Sequence, residues 1–187
     1  MQDQGIYVRL GRLFEYPADD YGARARRCLE QMNLEQPEAA QLLAEFCGEI
    51  QGLNTDQLQE LFTRTFDLNP VCTLEIGWHL YGEDYQRGEF LVKMRQQLRD
   101  RGIEESIELP DHLTHALILL QQMEPDEASD FAGRYLLPAL HQMRAGWQKN
   151  RNAFAVLLES AFVLLKSRFS YEPLPDRTRV PELRILQ

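Results

Sequence analysis

Apolar residues recur three and four positions apart along most of this chain, which is the spacing of amphipathic helices. The clearest stripe consists of Ala39, Leu42, Leu43, Phe46, Cys47 and Ile50. Pro37 suits the first turn of that helix, and Gly52 suits its end. Asn54 and Gln57 have the spacing of a capping box, so a new helix is predicted to begin there. No segment shows a period of two between turn residues, and the pattern therefore predicts an all-α fold.

Further helices are predicted along the rest of the chain. Apolar stripes mark the segments 6–14, 71–82 and 85–101. Proline favours the first turn of a helix, and three prolines precede apolar stripes: Pro110, Pro125 and Pro138. The run 153–165 is strongly apolar but carries Glu159 in its middle, and a spanning helix needs about 20 apolar residues. It therefore predicts a buried central helix.

The helices are expected to form one globular multi-helix bundle over residues 1–170. The segment 102–110 is acidic and ends in proline, so it predicts a seam that divides the bundle into two lobes. The segment 171–187 contains three prolines and cannot form a continuous helix. We expect it to be an extended tail.

Composition narrows the class of protein. The 187 residues are 44% hydrophobic, which is enough for a packed core. The formal net charge of -9 repels a phosphate backbone, so nucleic acid is not an expected partner. The amino terminus lacks the basic and apolar regions of a secretory signal, and no membrane insertion is expected. We expect a cytoplasmic protein.

The three cysteines predict neither a disulfide framework nor a zinc site. Cys28, Cys47 and Cys72 lie far apart in sequence, and no pair has the spacing C-x-x-C. Each falls in a segment with a helical pattern, where a free cysteine usually acts as a small buried hydrophobic residue. Free cysteines of this kind favour a reducing compartment.

Asp111, His112 and His115 are the best candidates for metal or acid–base chemistry, because residues three or four apart share one face of a helix. The chain has no H-E-x-x-H motif, and we expect no metal and no cofactor. An alternative is that Asp111 caps the helix after Pro110 while His112 packs or hydrogen-bonds locally. A metal- or nucleotide-dependent helical enzyme built on these three residues remains a second hypothesis.

Two other groups of residues are candidates for binding. Arg64 and Asp67 lie three residues apart, on one face of a helix. This spacing predicts either a local ion pair or part of a binding site. Trp78, Tyr81 and Tyr85 flank Gly82, where aromatic rings are either core or the wall of a groove for an amphipathic helix. Carboxylates are concentrated on the seam and the next connection: Glu104, Glu105, Glu108, Asp111, Glu124, Asp126, Glu127 and Asp130. They favour a basic peptide as partner, or form a solvated face.

Four blocks of the chain, taken together, resemble the TorD/DmsD/NarJ family of molybdoenzyme assembly chaperones, and its NarJ-like branch in particular. The blocks are 61–67, 73–82, Arg87 with Gly88, and 109–113. The resemblance implies an all-helical protein without catalytic residues. Such a protein binds the amino-terminal twin-arginine-like segment of a molybdopterin oxidoreductase catalytic subunit, such as respiratory nitrate reductase. It supports cofactor insertion and complex assembly before membrane docking or export.

The resemblance also implies a peptide-binding site. It would comprise Trp78, Tyr81, Gly82, Pro110, Asp111 and His112, together with Arg64, Phe66 and Asp67. Thr114 and Ile118 depart from the pattern of the nitrate reductase chaperones, so another enzyme of the same superfamily is an alternative client. A permanent accessory subunit is a further alternative to a chaperone. We expect a monomer, with a dimer as the alternative.

Overall fold

The computed structural model describes residues 5–69, 71–146 and 151–172, and these residues are almost entirely helical. The α-helices are α1 (Ile6–Gly11), α2 (Tyr21–Glu35), α3 (Pro37–Ile50), α4 (Thr55–Phe62), α5 (Ile76–Tyr81), α6 (Tyr85–Asp100), α7 (Leu113–Gln121), α8 (Pro125–Phe131), α9 (Leu137–Ala145) and α10 (Ala153–Lys166). A 3₁₀ turn (Arg12–Phe14) follows α1, and π-helical turns follow α4 (Thr63–Asp67) and α8 (Ala132–Leu136). The predicted all-α fold is confirmed.

Helix α10 is the centre of the bundle, as the apolar run predicted. Nearly every residue of α10 is buried, and the helix packs along α3 and against α9. Ser160 lies fully buried at the α3 contact, where its hydroxyl donates to the carbonyl of Ala39 at 2.8 Å. Glu159 is half-buried, and its carboxylate accepts two hydrogen bonds from the Arg144 guanidinium. The one charged residue within the apolar run is therefore paired with an arginine at the edge of the core.

A cluster of aromatic rings joins α10 to the first half of the chain. The ring of Phe154 lies 5.7 Å from Phe46, 5.3 Å from Phe62 and 5.5 Å from Phe66. Phe14 extends the cluster toward the amino terminus. Aromatic pairs of this kind stabilise a fold by about 0.5–1.5 kcal/mol each beyond the burial of their area. The cluster fixes the π-helical turn that carries Phe66.

Several predicted helix ends are confirmed. The Asn54 side chain accepts from the backbone N–H of Gln57 at 2.9 Å, and the Gln57 side chain accepts from the N–H of Asn54 at 3.0 Å. These are the two halves of a capping box. Gly102 adopts a positive φ of 63° just after α6. Glycine is favoured there because it has no Cβ to oppose this conformation.

The predicted helix from residue 71 to 82 is half wrong. The helix begins only at Ile76, and residues 71–75 form an irregular segment with Val71 exposed. Cys72, expected in a helix, is therefore buried in a loop. The periodicity misleads because this segment pairs with another part of the chain through its backbone, as described below.

The predicted seam, 102–110, lies in the connection between α6 and α7. The division of the bundle into two lobes stays a prediction. Of the predicted tail, residues 173–187 lie outside the described residues. None of the helices in the described ranges is long and apolar enough to cross a bilayer.

Candidate functional site

Two segments of the resemblance, far apart in sequence, meet in one antiparallel backbone contact. The N–H of Ile76 donates to the carbonyl of Asp111 at 3.0 Å, and the N–H of Leu113 donates to the carbonyl of Leu74 at 2.8 Å. Glu75 and His112 form an isolated β-bridge between these bonds. The first turns of α5 and α7 are therefore held side by side.

Asp111 caps α5, not α7. Its Oδ2 accepts from the backbone N–H of Gly77 at 2.9 Å, and the side chain is fully buried. The alternative that Asp111 caps the helix after Pro110 is therefore wrong. Burial raises the pKa of Asp111, while the Gly77 N–H and the Arg87 guanidinium lower it. Its second oxygen, Oδ1, has no hydrogen-bond partner among the described residues.

Gly77 is the residue that lets this contact form. A Cβ at position 77 would lie 2.6 Å from Asp111 Oδ2 and 2.9 Å from the ring of Phe90. Any side chain would push the carboxylate or the ring away. The glycine, the aspartate and the phenylalanine ring therefore form one packed unit under α5.

His112 is the N-cap of α7, in agreement with the expectation of a local role. Its Nδ1 accepts from the N–H of Thr114 at 3.3 Å, so this nitrogen carries no proton. Burial lowers the pKa of His112 to about 4, with Glu75 raising it and His115 lowering it further. The ring is neutral at pH 7. Pro110, two residues earlier, is also buried.

His115 holds the seam against α7. Its Nε2 accepts from the N–H of Ser106 at 3.1 Å, so Nδ1 carries the proton and donates to the carbonyl of Leu109 at 2.9 Å. Both ring nitrogens are therefore occupied by the backbone. Across the described ranges, no group of three His, Cys, Asp or Glu side chains could hold a metal ion. In this conformation His115 therefore has no free ring nitrogen to offer a metal ion.

Helix α5 presents the predicted aromatic residues. Trp78 is half-buried, and the Arg87 guanidinium lies 5.3 Å from the centre of its ring. Tyr81 is also half-buried and contacts Phe90, with ring centres 5.5 Å apart. Gly82 ends the helix with a positive φ of 62°. Trp78, Tyr81 and Gly82 therefore lie together beside the Asp111 cap, and each retains exposed surface.

Some residues of the earlier block, 61–67, are buried in the core, and others are exposed on the surface. Phe66 is only 2% exposed, so its ring cannot contact a peptide in this conformation. Arg64 and Asp67 are exposed, and neither forms an ion pair with any residue that the structure describes. The predicted local ion pair between them is wrong. The charge of Asp67 instead acts on Glu108 of the seam, whose pKa it helps to raise.

Asp67, Glu75 and Glu108 form an acidic group at the seam. Burial raises the pKa of Glu108, and the nearby charges of Glu75 and Asp67 raise it further. Ile107 is fully exposed and Leu109 is 43% exposed, on either side of Glu108. We call these residues the acidic and apolar surface: Asp67, Leu68, Glu75, Ile107, Glu108 and Leu109. The sequence did not single out Glu75, because only the β-bridge to His112 brings it here.

Several carboxylates that the sequence placed in one cluster are used elsewhere. Glu105 pairs with Arg95 at 3.0 Å, and Glu127 pairs with Arg101 at 2.5 Å. Asp111 is buried under α5 and does not reach the surface. The acidic group at the seam is therefore smaller than the sequence suggested, and Asp67, from the earlier block, belongs to it.

Comparisons with known proteins give one consistent result. No protein-family model matches the chain. The chain is 26% identical, over 175 residues, to the nitrate reductase molybdenum cofactor assembly chaperone NarJ of Escherichia coli K12, and equally to that of strain O157:H7. The alignment covers 91% of this chain and 73% of each relative. These relatives are named as chaperones, in agreement with the prediction of a protein that is not an enzyme.

The fold is also that of a solved structure. A redox enzyme maturation protein from Archaeoglobus fulgidus matches with a TM-score of 0.62 and 20% sequence identity. The match covers 89% of this chain and 96% of the other. At 20% identity this likeness shows the fold alone. The identity to NarJ over 91% of the chain confirms the predicted resemblance to the TorD/DmsD/NarJ family of molybdoenzyme assembly chaperones.

Proposed function

We propose that this protein binds the amino-terminal, twin-arginine-like segment of a molybdopterin oxidoreductase catalytic subunit at the acidic and apolar surface. Respiratory nitrate reductase, or a related enzyme, would be the client. By holding that segment, the chaperone supports cofactor insertion and complex assembly before membrane docking or export. The observation that carries the proposal is the concentration of three carboxylates beside exposed apolar side chains at the seam.

The carboxylates supply the attraction for arginine. Asp67, Glu75 and Glu108 lie close enough that the charges of two of them raise the pKa of the third. Like charges held together destabilise the free protein, and a guanidinium placed among them relieves that repulsion. Planar guanidinium groups also form paired hydrogen bonds with carboxylates. An arginine pair is therefore the basic group that this surface fits best.

The apolar side chains supply the second half of the recognition. Leu68 is 74% exposed, and Ile107 and Leu109 flank Glu108. Exposed apolar residues that lie together commonly mark an interaction surface. A segment with basic residues followed by apolar ones would bury these side chains while its arginines contact the carboxylates.

The buried residues of the family motifs support this surface without touching the client. Asp111 caps α5 and His112 caps α7, so both fix the β-bridge that places Glu75. Trp78 and Tyr81 lie on the same short helix and remain accessible. Asp111 and His112 therefore act as positioning residues, and Trp78 and Tyr81 are the candidates for direct contact.

Calorimetry with a synthetic peptide tests the proposal. The peptide carries an arginine pair followed by a leucine-rich segment. We expect saturable binding that weakens about tenfold or more in the double variant Asp67→Asn/Glu108→Gln, since each charge pair contributes on the order of 1 kcal/mol. Replacing the arginine pair by glutamine should have a similar effect.

A matched double variant controls for net charge. Glu30 and Glu49 are exposed on α2 and α3 and form no ion pair in the described part of the chain. Glu30→Gln/Glu49→Gln removes the same charge and should leave the affinity unchanged. Equal weakening by both double variants, or no binding of the peptide to the unaltered protein, would reject the proposed site.

A further inference from the structure

The guanidinium of Arg87, in the first turn of α6, lies over the indole ring of Trp78 in α5. The distance from its central carbon to the ring centre is 5.3 Å, which is within the range of a cation–π interaction. Both side chains are half-buried. The Nε of Arg87 is buried without a hydrogen-bond acceptor, and its guanidinium forms no ion pair with any residue that the structure describes. The ring of Trp78 is therefore its partner in the described part of the chain.

Arg87 differs in this respect from other arginines that lie over aromatic rings. Within the described ranges, three further arginine side chains have such a contact, and all three also donate to a carboxylate. The pairs are Arg24 with Glu15, Arg144 with Glu159 and Arg168 with Glu35. A charge-assisted hydrogen bond fixes each of these guanidinium groups in one orientation. Arg87 has no such bond, so its guanidinium can leave the ring without breaking an ion pair.

The position of Arg87 does not serve the stability of its own helix. It is the third residue of α6, and the amino-terminal end of a helix carries a positive partial charge that disfavours a cation. The cap of α6 is provided by Asp84, whose side chain accepts from the N–H of Gln86 at 2.9 Å. A residue that opposes a local rule without a compensating bond is expected at functional sites. Helix formation therefore does not explain an arginine at this position.

The charge of Arg87 lies next to the acidic and apolar surface. Arg87 lowers the pKa of Asp111 and of His79, and the carboxylate of Glu75 raises the pKa of the same two groups. Trp78 follows Glu75 by one turn, and its N–H donates to the Glu75 carbonyl at 3.1 Å. An aromatic ring beside a carboxylate is a favourable place for a guanidinium. Arg87 occupies that place in the free protein.

We infer that Arg87 is an internal competitor of the client: its guanidinium occupies the face of Trp78 in the free chaperone, and an arginine of the client segment displaces it. The inference rests on the proposed function, since the incoming group belongs to that segment. Displacement costs the contact between Arg87 and Trp78, so Arg87 lowers the affinity for the client. The same contact forms again when the client leaves, and it therefore favours release.

The sign of one substitution tests this role. Arg87→Gln should tighten the arginine-pair peptide about two- to fivefold in calorimetry, since an exposed cation–π contact corresponds to such a factor. Arg99→Gln is the matched control, because Arg99 is exposed on the same helix and forms no ion pair among the described residues. It lies about 18 Å further along α6 and should leave the affinity unchanged. Unchanged or weaker binding by Arg87→Gln would overturn the inference and leave the proposed function standing.

A lysine-pair peptide separates the ring contact from a general effect of charge. The planar guanidinium of arginine stacks on an aromatic ring, whereas the ammonium of lysine is a compact and strongly hydrated charge. Arg87→Gln should therefore increase the preference for the arginine-pair peptide over the lysine-pair peptide. An equal gain for both peptides would mean that Arg87 acts through its charge alone, and the inference would fail.

The contact itself can be tested without a client. The chain has two tryptophans, so Trp147→Phe leaves Trp78 as the one indole that fluoresces. In that background, Arg87→Gln should make the Trp78 fluorescence more sensitive to quenching by acrylamide, because the face of the ring becomes free. Equal quenching with and without Arg87 would overturn the inference whatever the peptide does. If the peptide binds neither Trp147→Phe nor its Arg87→Gln derivative, the proposed function and the inference both fail; binding by the derivative alone would show that Arg87 blocks the site.

Discussion

The Asp111 carboxylate caps a helix that begins 35 positions earlier in the chain, through a 2.9 Å hydrogen bond from the N–H of Gly77. Helix α5 has no cap of its own, since its N-cap residue, Glu75, makes no such bond. The two segments that resemble the family motifs are therefore one structural unit. Its function is to hold α5, with Trp78 and Tyr81, in a fixed orientation.

Asp111→Ala should destabilise the protein by about 1–3 kcal/mol, because the buried N–H of Gly77 loses its acceptor. Asp111→Asn keeps an oxygen at the same place and should cost less than about 1 kcal/mol. Urea unfolding at neutral pH measures both. If the alanine variant were as stable as the asparagine variant, the cap would have no energetic importance.

How the stability of the Asp111→Asn variant depends on pH follows from the direction in which folding shifts the pKa of Asp111. The pKa of Asp111 is raised in the folded protein, so folding disfavours its ionised form. Its contribution to stability is fully present below the unfolded pKa and is lost as the pH rises through the folded pKa. The variant should therefore gain stability relative to the unaltered protein as the pH increases through the acidic range. A constant difference between the two proteins would contradict this assignment.

Gly77→Ala should destabilise the protein by about 1–3 kcal/mol, although alanine is the better helix former by about 1 kcal/mol. The reason is that the new Cβ would lie 2.6 Å from Asp111 Oδ2 and 2.9 Å from the Phe90 ring. Gly88→Ala in α6 is the matched control, because a Cβ there meets nothing within 4 Å. Urea unfolding should show opposite signs for the two substitutions. A stable Gly77→Ala protein would show that the carboxylate can move without cost.

His112 should make the protein less stable in acid. Its pKa falls from an unfolded value near 6.5 to about 4 in the folded protein, so folding disfavours the protonated ring. Stability is fully present above the unfolded pKa and is lost as the pH falls from 6.5 toward about 4, by up to about 3 kcal/mol. His79, whose pKa is also lowered by burial, contributes in the same direction.

His112→Asn isolates that contribution, since asparagine is a favoured N-cap residue that does not titrate. Urea unfolding measured from neutral pH down to about pH 5 should show a shallower loss for this variant. His141→Asn serves as the comparison, because His141 is hydrogen-bonded to Tyr171 outside this unit. An identical pH profile for His112→Asn and the unaltered protein would reject the assignment.

The sequence predicted those features that depend on local pattern. The buried run of α10, the capping box at Asn54 and the extent of α6 all follow from neighbouring residues. The start of α5 did not, because the backbone of residues 74–76 bonds to residues 111–113 and not to its own next turn. Periodicity carries no information about a contact between such distant segments.

The candidate site was predicted in part, for the same reason. Trp78 and Asp111 were identified by resemblance, but the bond from Gly77 to Asp111 could not be derived from spacing. Glu75 was missed, since its position beside Glu108 depends on the β-bridge. Phe66 was included although its ring is core, because a motif does not distinguish a residue that supports a site from one that contacts a ligand.

The affinity for an arginine-pair peptide should depend on both salt and pH. Exposed charges are screened over about 10 Å at 0.1 M salt, so raising the ionic strength should weaken binding. The raised pKa of Glu108 means that this carboxylate loses its charge at a higher pH than an ordinary glutamate, and acid should weaken binding as well. Calorimetry at several salt concentrations and pH values, on the unaltered protein and on Glu108→Gln, measures how steeply the affinity falls with salt and with acid. Glu108→Gln should flatten both; equal slopes in the two proteins would mean that Glu108 takes no part in the attraction.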